Sequence, residues 1–371
     1  MIRTDVATRE LPVPRRLSFV PGFDGVRALA VLLVVSAHLR LIAGPVYDRW
    51  QPKGGQVGVD IFFVLSGFLI TGLLLREQWS AGAVRFGAFY GRRALRLLPA
   101  LLLFVAVYLV YAQVDHVSWP LTRSSVLSVV FYYANWKIVT ADAFPFIAPG
   151  LAHVWSLSIE EQFYLAWPLL LVVLMGMRRR LSTALVVMTS AVAVVVVVRA
   201  LLLQHTAPGI LYFRTDMRAD SLLVGAIAAQ LWVRCRFRTG ALVPAAWIAL
   251  GFVAFCALRL PVDNRFLYYG GNTLIAIAVA VMLLAVLETQ WSAKRVLQNR
   301  ALRAIGKVSY GIYLWHYFVF YVLSRHTRSW NPGGRVVVGV ALTTVAVLFS
   351  WYVVERPSLK LKRRLEAPTR T

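Results

Sequence analysis

The chain alternates long apolar stretches with short polar connections. A helix that crosses a bilayer needs roughly 20 predominantly apolar residues. Ten stretches of about this length occur, at 28–46, 57–75, 97–113, 154–176, 181–203, 219–233, 241–258, 271–288, 309–324 and 336–354. The pattern therefore predicts an all-α polytopic membrane protein with about ten transmembrane helices.

One further apolar segment, 124–150, differs from the predicted spans. It is rich in aromatic residues but contains Pro145 and Pro149 near its end. Proline interrupts helical hydrogen bonding, and the uninterrupted part is short for a crossing. We therefore expect a re-entrant or interfacial element here.

Lysine and arginine are unevenly distributed between alternate connections. If the N-terminus is cytoplasmic, 26 of the 40 basic residues lie in tails and connections on the inside and 12 lie on the outside. Such a bias is typical of cytoplasmic connections. We therefore predict a transmembrane domain over 23–357, with cytoplasmic tails over 1–22 and 358–371, in the inner (plasma) membrane.

Composition supports a membrane protein. Hydrophobic residues make up 59% of the chain and charged residues only 15%, which is more apolar than a soluble domain. The net charge of +24 suggests nucleic-acid binding, but the basic residues form short clusters and no recognised motif, so we expect no nucleic-acid partner. Cys235 and Cys256 share no metal-ligand spacing, so we expect neither a disulfide nor a metal site.

Several ionisable residues lie where lipid contact would otherwise be expected. His38 lies eleven residues after Arg27 in the first span, so both lie on one helix face. Asp60 and Glu160 lie near the outer ends of the second and fourth spans, and buried charges of this kind are usually functional. We predict that Asp60 or Glu160 orients His38 as a general base, with a structural salt bridge as the alternative for any one residue. His316, in the ninth span, stays unassigned.

Two arginines lie at the cytoplasmic end of the third span. Arg93 and Arg96 are three residues apart, on one helix face. Guanidinium groups bind phosphate through paired hydrogen bonds, and Arg27 and Asp24 lie at a similar depth. We expect a site for a phosphorylated ligand, with ordinary membrane anchoring as the alternative.

Six motifs occur in order over about 22–357. They are FDGVRALAVLLVVSAH, GVDIFFVLSGFLIT, the Arg-x-x-Arg of Arg93 and Arg96, HVWSLSIEEQFYLAWP, MRADSLLVG and SYGIYLWH. As a set they resemble the membrane acyltransferase 3 family, the O-acyltransferases of bacterial surface glycans and glycosylated natural products. The resemblance implies that Arg93 and Arg96 engage the phosphates of acyl-CoA, that Arg27 lines the donor path and that His38 is catalytic.

The same resemblance implies the reaction partners. The donor substrate would be cytoplasmic acyl-CoA, commonly acetyl-CoA, with no permanently bound cofactor. The acceptor would be a sugar hydroxyl of a cell-envelope polysaccharide or its precursor, or of a glycosylated natural product such as a macrolide. Some members carry a C-terminal SGNH-type esterase domain, but this chain ends 17 residues after its last predicted span. We therefore expect any extracytoplasmic esterase or transferase partner to be a separate protein.

Alternatives of mechanism and class stay open at this stage. His38 either deprotonates the acceptor directly or is transiently acylated, whereas Ser66 lacks the Gly-x-Ser-x-Gly context of a nucleophile. A proton-coupled transporter would use His38, Asp60 and Glu160 as a relay, but it would not account for the arginine pair. A membrane scaffold would use none of these residues.

Overall fold

The computed structural model describes residues 19–44, 47, 49, 51–141, 147–176, 181–235 and 237–366, which form helices and no strand. The α-helices are α1 (Pro21–His38), α2 (Arg40–Ala43), α3 (Gln56–Ala81), α4 (Phe86–Val114), α5 (Trp119–Val130), α6 (Ala134–Val139), α7 (Trp155–Gly176), α8 (Leu181–Leu202), α9 (Pro208–Phe213), α10 (Thr215–Arg234), α11 (Thr239–Arg259), α12 (Asn272–Glu288), α13 (Ala293–Leu297), α14 (Arg300–Lys307), α15 (Ser309–His326), α16 (Pro332–Phe349) and α17 (Arg356–Glu366). A 3₁₀ turn (Ala152–Val154) precedes α7, and π-helical turns precede α12 (Leu267–Gly271) and α17 (Ser350–Glu355). The predicted all-α polytopic class is confirmed.

Eight helices in the described part of the chain are long and apolar enough to cross a membrane. They correspond to eight of the ten predicted spans. The other two, 219–233 and 309–324, are helices α10 and α15, which were expected to cross as well. These two helices are less apolar than the other eight, because α10 carries several charged side chains and α15 is rich in tyrosine and histidine.

The segment 124–150 forms no spanning helix in its described part. It contains the end of α5 and the whole of α6, which have 12 and 6 residues respectively. Neither helix reaches the length of a crossing. Of the two prolines that motivated the prediction, Pro145 lies outside the described residues, and Pro149 lies in the turn before the 3₁₀ turn. The observed helix lengths agree with the prediction of a short, broken element.

Helix α3 lies at the centre of the helical bundle. In its most apolar window 78% of the residues are buried, compared with 17% for α8 and 22% for the helix that contains α16. Helices α8 and α16 therefore present most of their side chains to the surroundings of the bundle, whereas α3 packs on all sides. This central position places side chains of α3 beside several other helices at once.

Glycines allow the close approach of α3 to its neighbours. A Cβ atom at Gly67 would collide with the carbonyl of Leu222 on α10, and one at Gly225 would collide with the carbonyl of Val64 on α3. Small residues at such crossings let helix backbones approach closely within a membrane. The two glycines therefore fix the α3–α10 contact, and with it the position of the polar side chains that these helices carry.

Candidate active site

A cavity of about 690 Å³ opens between α1, α3, α4, α7 and α15. Its volume is typical of a site for a small molecule or cofactor. One end is lined by six arginines, which are Arg27, Arg76, Arg85, Arg92, Arg93 and Arg96. The rest of the lining comes from α3, α7 and α15 and consists mainly of apolar and aromatic side chains, with Ser66, Ser156, Glu160 and Ser309 among them. We call it the central cavity.

Arg93 is fixed within the wall of the central cavity. Its Nε and Nη2 atoms both donate to Glu161 Oε1 at 3.2 Å, and its guanidinium lies 3.0 Å from the centre of the Tyr164 ring. The carboxylate and the ring come from α7, so Arg93 ties α4 to α7. Glu161, the neighbour of Glu160 in the chain, therefore faces an arginine.

Arg96 is the more available of the two predicted arginines. It lies three residues further along α4 and lines the same cavity. Within the part of the chain that the structure describes, its guanidinium has no hydrogen bond and no ion pair. Because all five N–H groups can still donate, Arg96 can bind an anionic ligand without breaking a protein contact.

Arg27 lies at the same end of the central cavity. Its Nη1 atom donates to Asp24 Oδ1 at 3.1 Å, one turn earlier in α1, and 20% of its side chain is exposed. The structure therefore brings together the three arginines that sequence analysis assigned to a phosphorylated ligand. Arg27 and Arg93 are each paired with a carboxylate, whereas Arg96 has no such partner among the described residues.

His38 pairs with a second histidine. Its Nδ1 atom lies 3.0 Å from Nε2 of His316 on α15, and Nδ1 of His316 lies 2.9 Å from the carbonyl oxygen of Ile312. A carbonyl oxygen only accepts, so Nδ1 of His316 carries the proton of the neutral ring. Nε2 of His316 is then the acceptor of a hydrogen bond that His38 donates through its Nδ1–H. His38 Nε2 is then left with a lone pair, and the residue is partly exposed. This is the tautomer that a general base requires.

A third histidine, His153, lies beside this pair. Its ring centroid lies 5.6 Å from that of His316, and it stacks on Tyr317 at 5.0 Å. Nε2 of His153 donates to the carbonyl of Leu314 at 3.0 Å, and its buried Nδ1 has no hydrogen-bond partner among the described residues. His153 opens the motif HVWSLSIEEQFYLAWP, but its position in the sequence predicted no role for it.

The prediction that Asp60 partners His38 is wrong in this structure. Asp60 is fully buried, accepts from Arg218 Nη2 at 2.5 Å and from Ser221 Oγ at 3.1 Å, and so faces α10. The neighbouring pair of Arg199 and Asp220, at 2.9 Å, is equally buried. Two side chains at a similar depth on different helices meet only if the two helix faces are turned toward each other. The face of α3 that carries Asp60 is turned toward α10, so Asp60 pairs with Arg218 and not with His38.

Glu160 does not contact His38 either, which corrects the second alternative. It lines the central cavity, where it accepts from Ser66 Oγ at 3.2 Å and from the hydroxyl of Tyr164 at 3.4 Å. Both partners lie on or near the α3–α7 contact. Glu160 therefore lies in the cavity wall. The hydrogen-bond acceptor for His38, which was expected to be a carboxylate, is His316.

Tyr313 connects the central cavity with the histidines. It lines the cavity, and its ring centroid lies 5.8 Å from that of His316 and 5.6 Å from that of His153. The arginines therefore line the central cavity, whereas the histidine pair lies behind Tyr313 and outside the cavity lining. No group of three or more His, Cys, Asp or Glu side chains in the described residues has the arrangement of a metal site.

A polytopic membrane protein in which a paired imidazole lies behind the wall of an arginine-lined cavity has the parts of a group-transfer enzyme. Comparison with known proteins identifies the family. The model of the family described as "Acyltransferase domain" matches residues 20–355, so the chain belongs to this acyltransferase family. The resemblance found in the six motifs is thereby confirmed.

Curated relatives extend this comparison. The chain is 35% identical to the putative peptidoglycan O-acetyltransferase YrhL of Bacillus subtilis (strain 168), over 91% of this chain and 55% of that protein. It is 33% identical to the peptidoglycan O-acetyltransferase OatA of Listeria monocytogenes (serovar 1/2a), over 92% and 56%. It is 31% identical to a putative O-acetyltransferase of Staphylococcus aureus (strain COL), over 93% and 58%. The chain spans little more than half the length of these relatives. No solved structure is significantly similar to it.

Proposed function

We propose that this protein is an integral membrane O-acetyltransferase that moves an acetyl group from acyl-CoA to a sugar hydroxyl of a cell-envelope polysaccharide, with peptidoglycan or its precursor as the acceptor. One observation carries the proposal: a single cavity has arginines at one end and, behind Tyr313 at the other, the pair of His38 and His316. The names of the relatives support the acetyl group and the acceptor.

The arginine end suits the nucleotide part of the donor. CoA carries phosphate groups at its adenosine end and the thioester at the end of a long, flexible arm. For a phosphate, Arg96 offers a guanidinium that is unpaired among the described residues, and Arg27 and Arg93, each held by a carboxylate, line the cavity with it. The arm then extends along the apolar part of the cavity toward the histidines. In this proposed orientation the donor binds from the cytoplasmic side, in keeping with the proposed cytoplasmic termini in the inner (plasma) membrane.

The histidine pair suits the chemical step. His38 Nε2 accepts the proton of the acceptor hydroxyl while the hydroxyl oxygen attacks the thioester carbonyl. The new C–O bond forms, the C–S bond breaks, and the proton passes from His38 to the departing CoA thiolate. His316 Nε2 accepts the hydrogen bond from His38 Nδ1–H throughout, which stabilises the imidazolium and holds the ring.

The acceptor side lies toward the outer end of α1. Only Leu39 and the four residues of α2 follow His38 before the chain leaves the helix at Gly44, so His38 is near the end that the proposed topology places outside. A sugar hydroxyl presented from outside can therefore reach His38 without crossing the bilayer. Delivery to a polymer by a separate extracytoplasmic partner is compatible with this arrangement.

Purified protein reconstituted in lipid tests the proposal. Radiolabelled acetyl-CoA and peptidoglycan fragments are supplied, and both CoA release and label on the fragments are followed. We expect His38→Ala to abolish transfer while acetyl-CoA still binds, and Arg96→Ala to weaken binding. The exposed residues His205 and Arg123 provide matched controls, since His205→Ala and Arg123→Ala should behave as wild type.

The outcomes separate the parts of the proposal. Wild-type protein that neither binds acetyl-CoA nor releases CoA would overturn the donor assignment. CoA release without label on peptidoglycan fragments, but with label on a glycosylated small molecule, would overturn the proposed acceptor and favour the natural-product alternative. Transfer retained by His38→Ala would overturn the catalytic assignment.

A further inference from the structure

Two aromatic rings meet in the lining of the central cavity at the end away from the arginines. Phe62 on α3 and Tyr313 on α15 both line the cavity, and their rings meet edge to face with centroids 6.4 Å apart. Val59 and Leu157 complete an apolar lining around them, whereas the arginines lie at the opposite end. We call Phe62 and Tyr313 the aromatic wall.

Tyr313 is the fixed half of the aromatic wall. Its hydroxyl donates to the carbonyl oxygen of His153 at 2.5 Å and accepts from Ser156 Oγ at 2.6 Å. The carbonyl can only accept, so the direction of both hydrogen bonds is determined. Because the hydroxyl end is held in this way, the Tyr313 ring cannot turn aside without breaking buried hydrogen bonds.

Phe62 is the half of the aromatic wall that has only apolar contacts. It is partly exposed, and its ring has no polar atom to anchor. The space available at this end of the cavity therefore depends on the size of the side chain at position 62, while the position of Tyr313 stays constant.

The histidine pair lies directly behind the wall. The ring of Tyr313 is 5.8 Å from that of His316, which in turn bonds His38. A thioester that enters from the arginine end brings its acyl group against Phe62 and Tyr313 before its carbonyl reaches His38. Each methylene added to the acyl chain must then occupy space that these rings fill.

We infer that the aromatic wall restricts the donor to short acyl chains and that Phe62 is a specificity-determining residue. The inference rests on the proposed binding of acyl-CoA in the central cavity. One additional methylene in a hydrophobic pocket changes specificity by about tenfold or more. Acetyl-CoA is therefore preferred over propionyl-CoA, and propionyl-CoA over butanoyl-CoA, because the side chains of Phe62 and Tyr313 occupy the space that a longer acyl chain needs.

The test compares acyl donors within one protein. Reconstituted wild type and Phe62→Ala are supplied with acetyl-, propionyl- and butanoyl-CoA, and kcat/KM is measured for acyl transfer to peptidoglycan fragments. We expect Phe62→Ala to raise the ratio of butanoyl to acetyl transfer by at least about tenfold. The ratio does not depend on how much of the variant is folded. Phe62→Leu, which preserves more of the packing, should shift the preference toward propionyl-CoA.

Phe19→Ala is the matched control. Phe19 lines the arginine end of the same cavity and is 66% exposed, so the identical change there should leave the chain-length ratio as in wild type. The inference is wrong if wild type uses butanoyl-CoA as well as acetyl-CoA, if both Phe62 variants keep the wild-type ratio, or if Phe19→Ala shifts the ratio equally. A wild type that binds no acyl-CoA, seen as absence of thermal stabilisation, would instead overturn the proposed function and the inference with it.

Discussion

Replacing His316 with leucine removes the hydrogen-bond acceptor of His38 while keeping an apolar side chain at a fully buried position. The lost bond is the one from His38 Nδ1–H, 3.0 Å from His316 Nε2. A hydrogen bond to a charged group contributes about 1.5–3 kcal/mol. Since the imidazole carries positive charge only as the reaction proceeds, this loss falls on the transition state and lowers kcat by about 10- to 150-fold.

Single-turnover acetyl transfer measures this effect separately from donor binding. His316→Leu should lower the transfer rate and leave the Kd for acetyl-CoA unchanged, because the arginines are at the other end of the cavity. His316→Gln retains an amide oxygen able to accept from His38 and should recover part of the rate. His326→Gln, at the exposed end of the same helix, provides the matched control and should be near wild type.

Two results would refute this reasoning. A His316→Leu rate within about threefold of wild type, under conditions where His38→Ala is inactive, would show that the pair is not used in the reaction. A His316→Gln rate as low as that of His316→Leu would show that the acceptor is not what matters, and would contradict the tautomer derived from the contact with Ile312.

Three further predictions concern the surrounding residues. Arg218→Met leaves the buried carboxylate of Asp60 without its ion-pair partner and should destabilise the protein by about 3–5 kcal/mol, seen as a lower thermal midpoint in detergent. The double change Asp60→Leu/Arg218→Met should regain most of the lost stability. A single variant as stable as wild type would contradict the buried pair. Gly225→Leu should prevent folding because the facing carbonyl of α3 leaves no space, whereas Gly209→Ala, with open space around it, should fold normally; equal yields of folded protein would argue against the close helix contact. Glu160→Gln can still accept from a serine hydroxyl and should keep kcat within a fewfold of wild type; a loss as large as that of the catalytic-histidine variant would instead place this carboxylate in the chemistry.

Features that depend on short stretches of chain were predictable. The lengths of the apolar runs indicated where helices lie, because a membrane span needs a set number of apolar residues. The three-residue spacing of Arg93 and Arg96 placed both on one face of α4, and both line the cavity in the structure. The adjacency of Glu160 and Glu161 implied different directions for the two side chains, and Glu161 does meet an arginine.

Contacts between distant helices were not predictable in the same way. His153 and Tyr313 lie in quoted motifs, but nothing in their local spacing indicates that they meet beside the histidine pair. The one available signal was their polar character within apolar stretches, since buried polar groups need partners. That signal shows that a partner exists without identifying it.

The amino-acid sequence alone predicted an all-α membrane protein, the ionisable residues within its spans and an arginine pair near the start of α4. How the helices are rotated against one another became clear only from their packing. That rotation turns Asp60 toward Arg218 and His38 toward His316, which is 278 residues away in the chain. Residue number alone gives the depth of a side chain along a helix, but the neighbour that the side chain faces depends on how the helices pack.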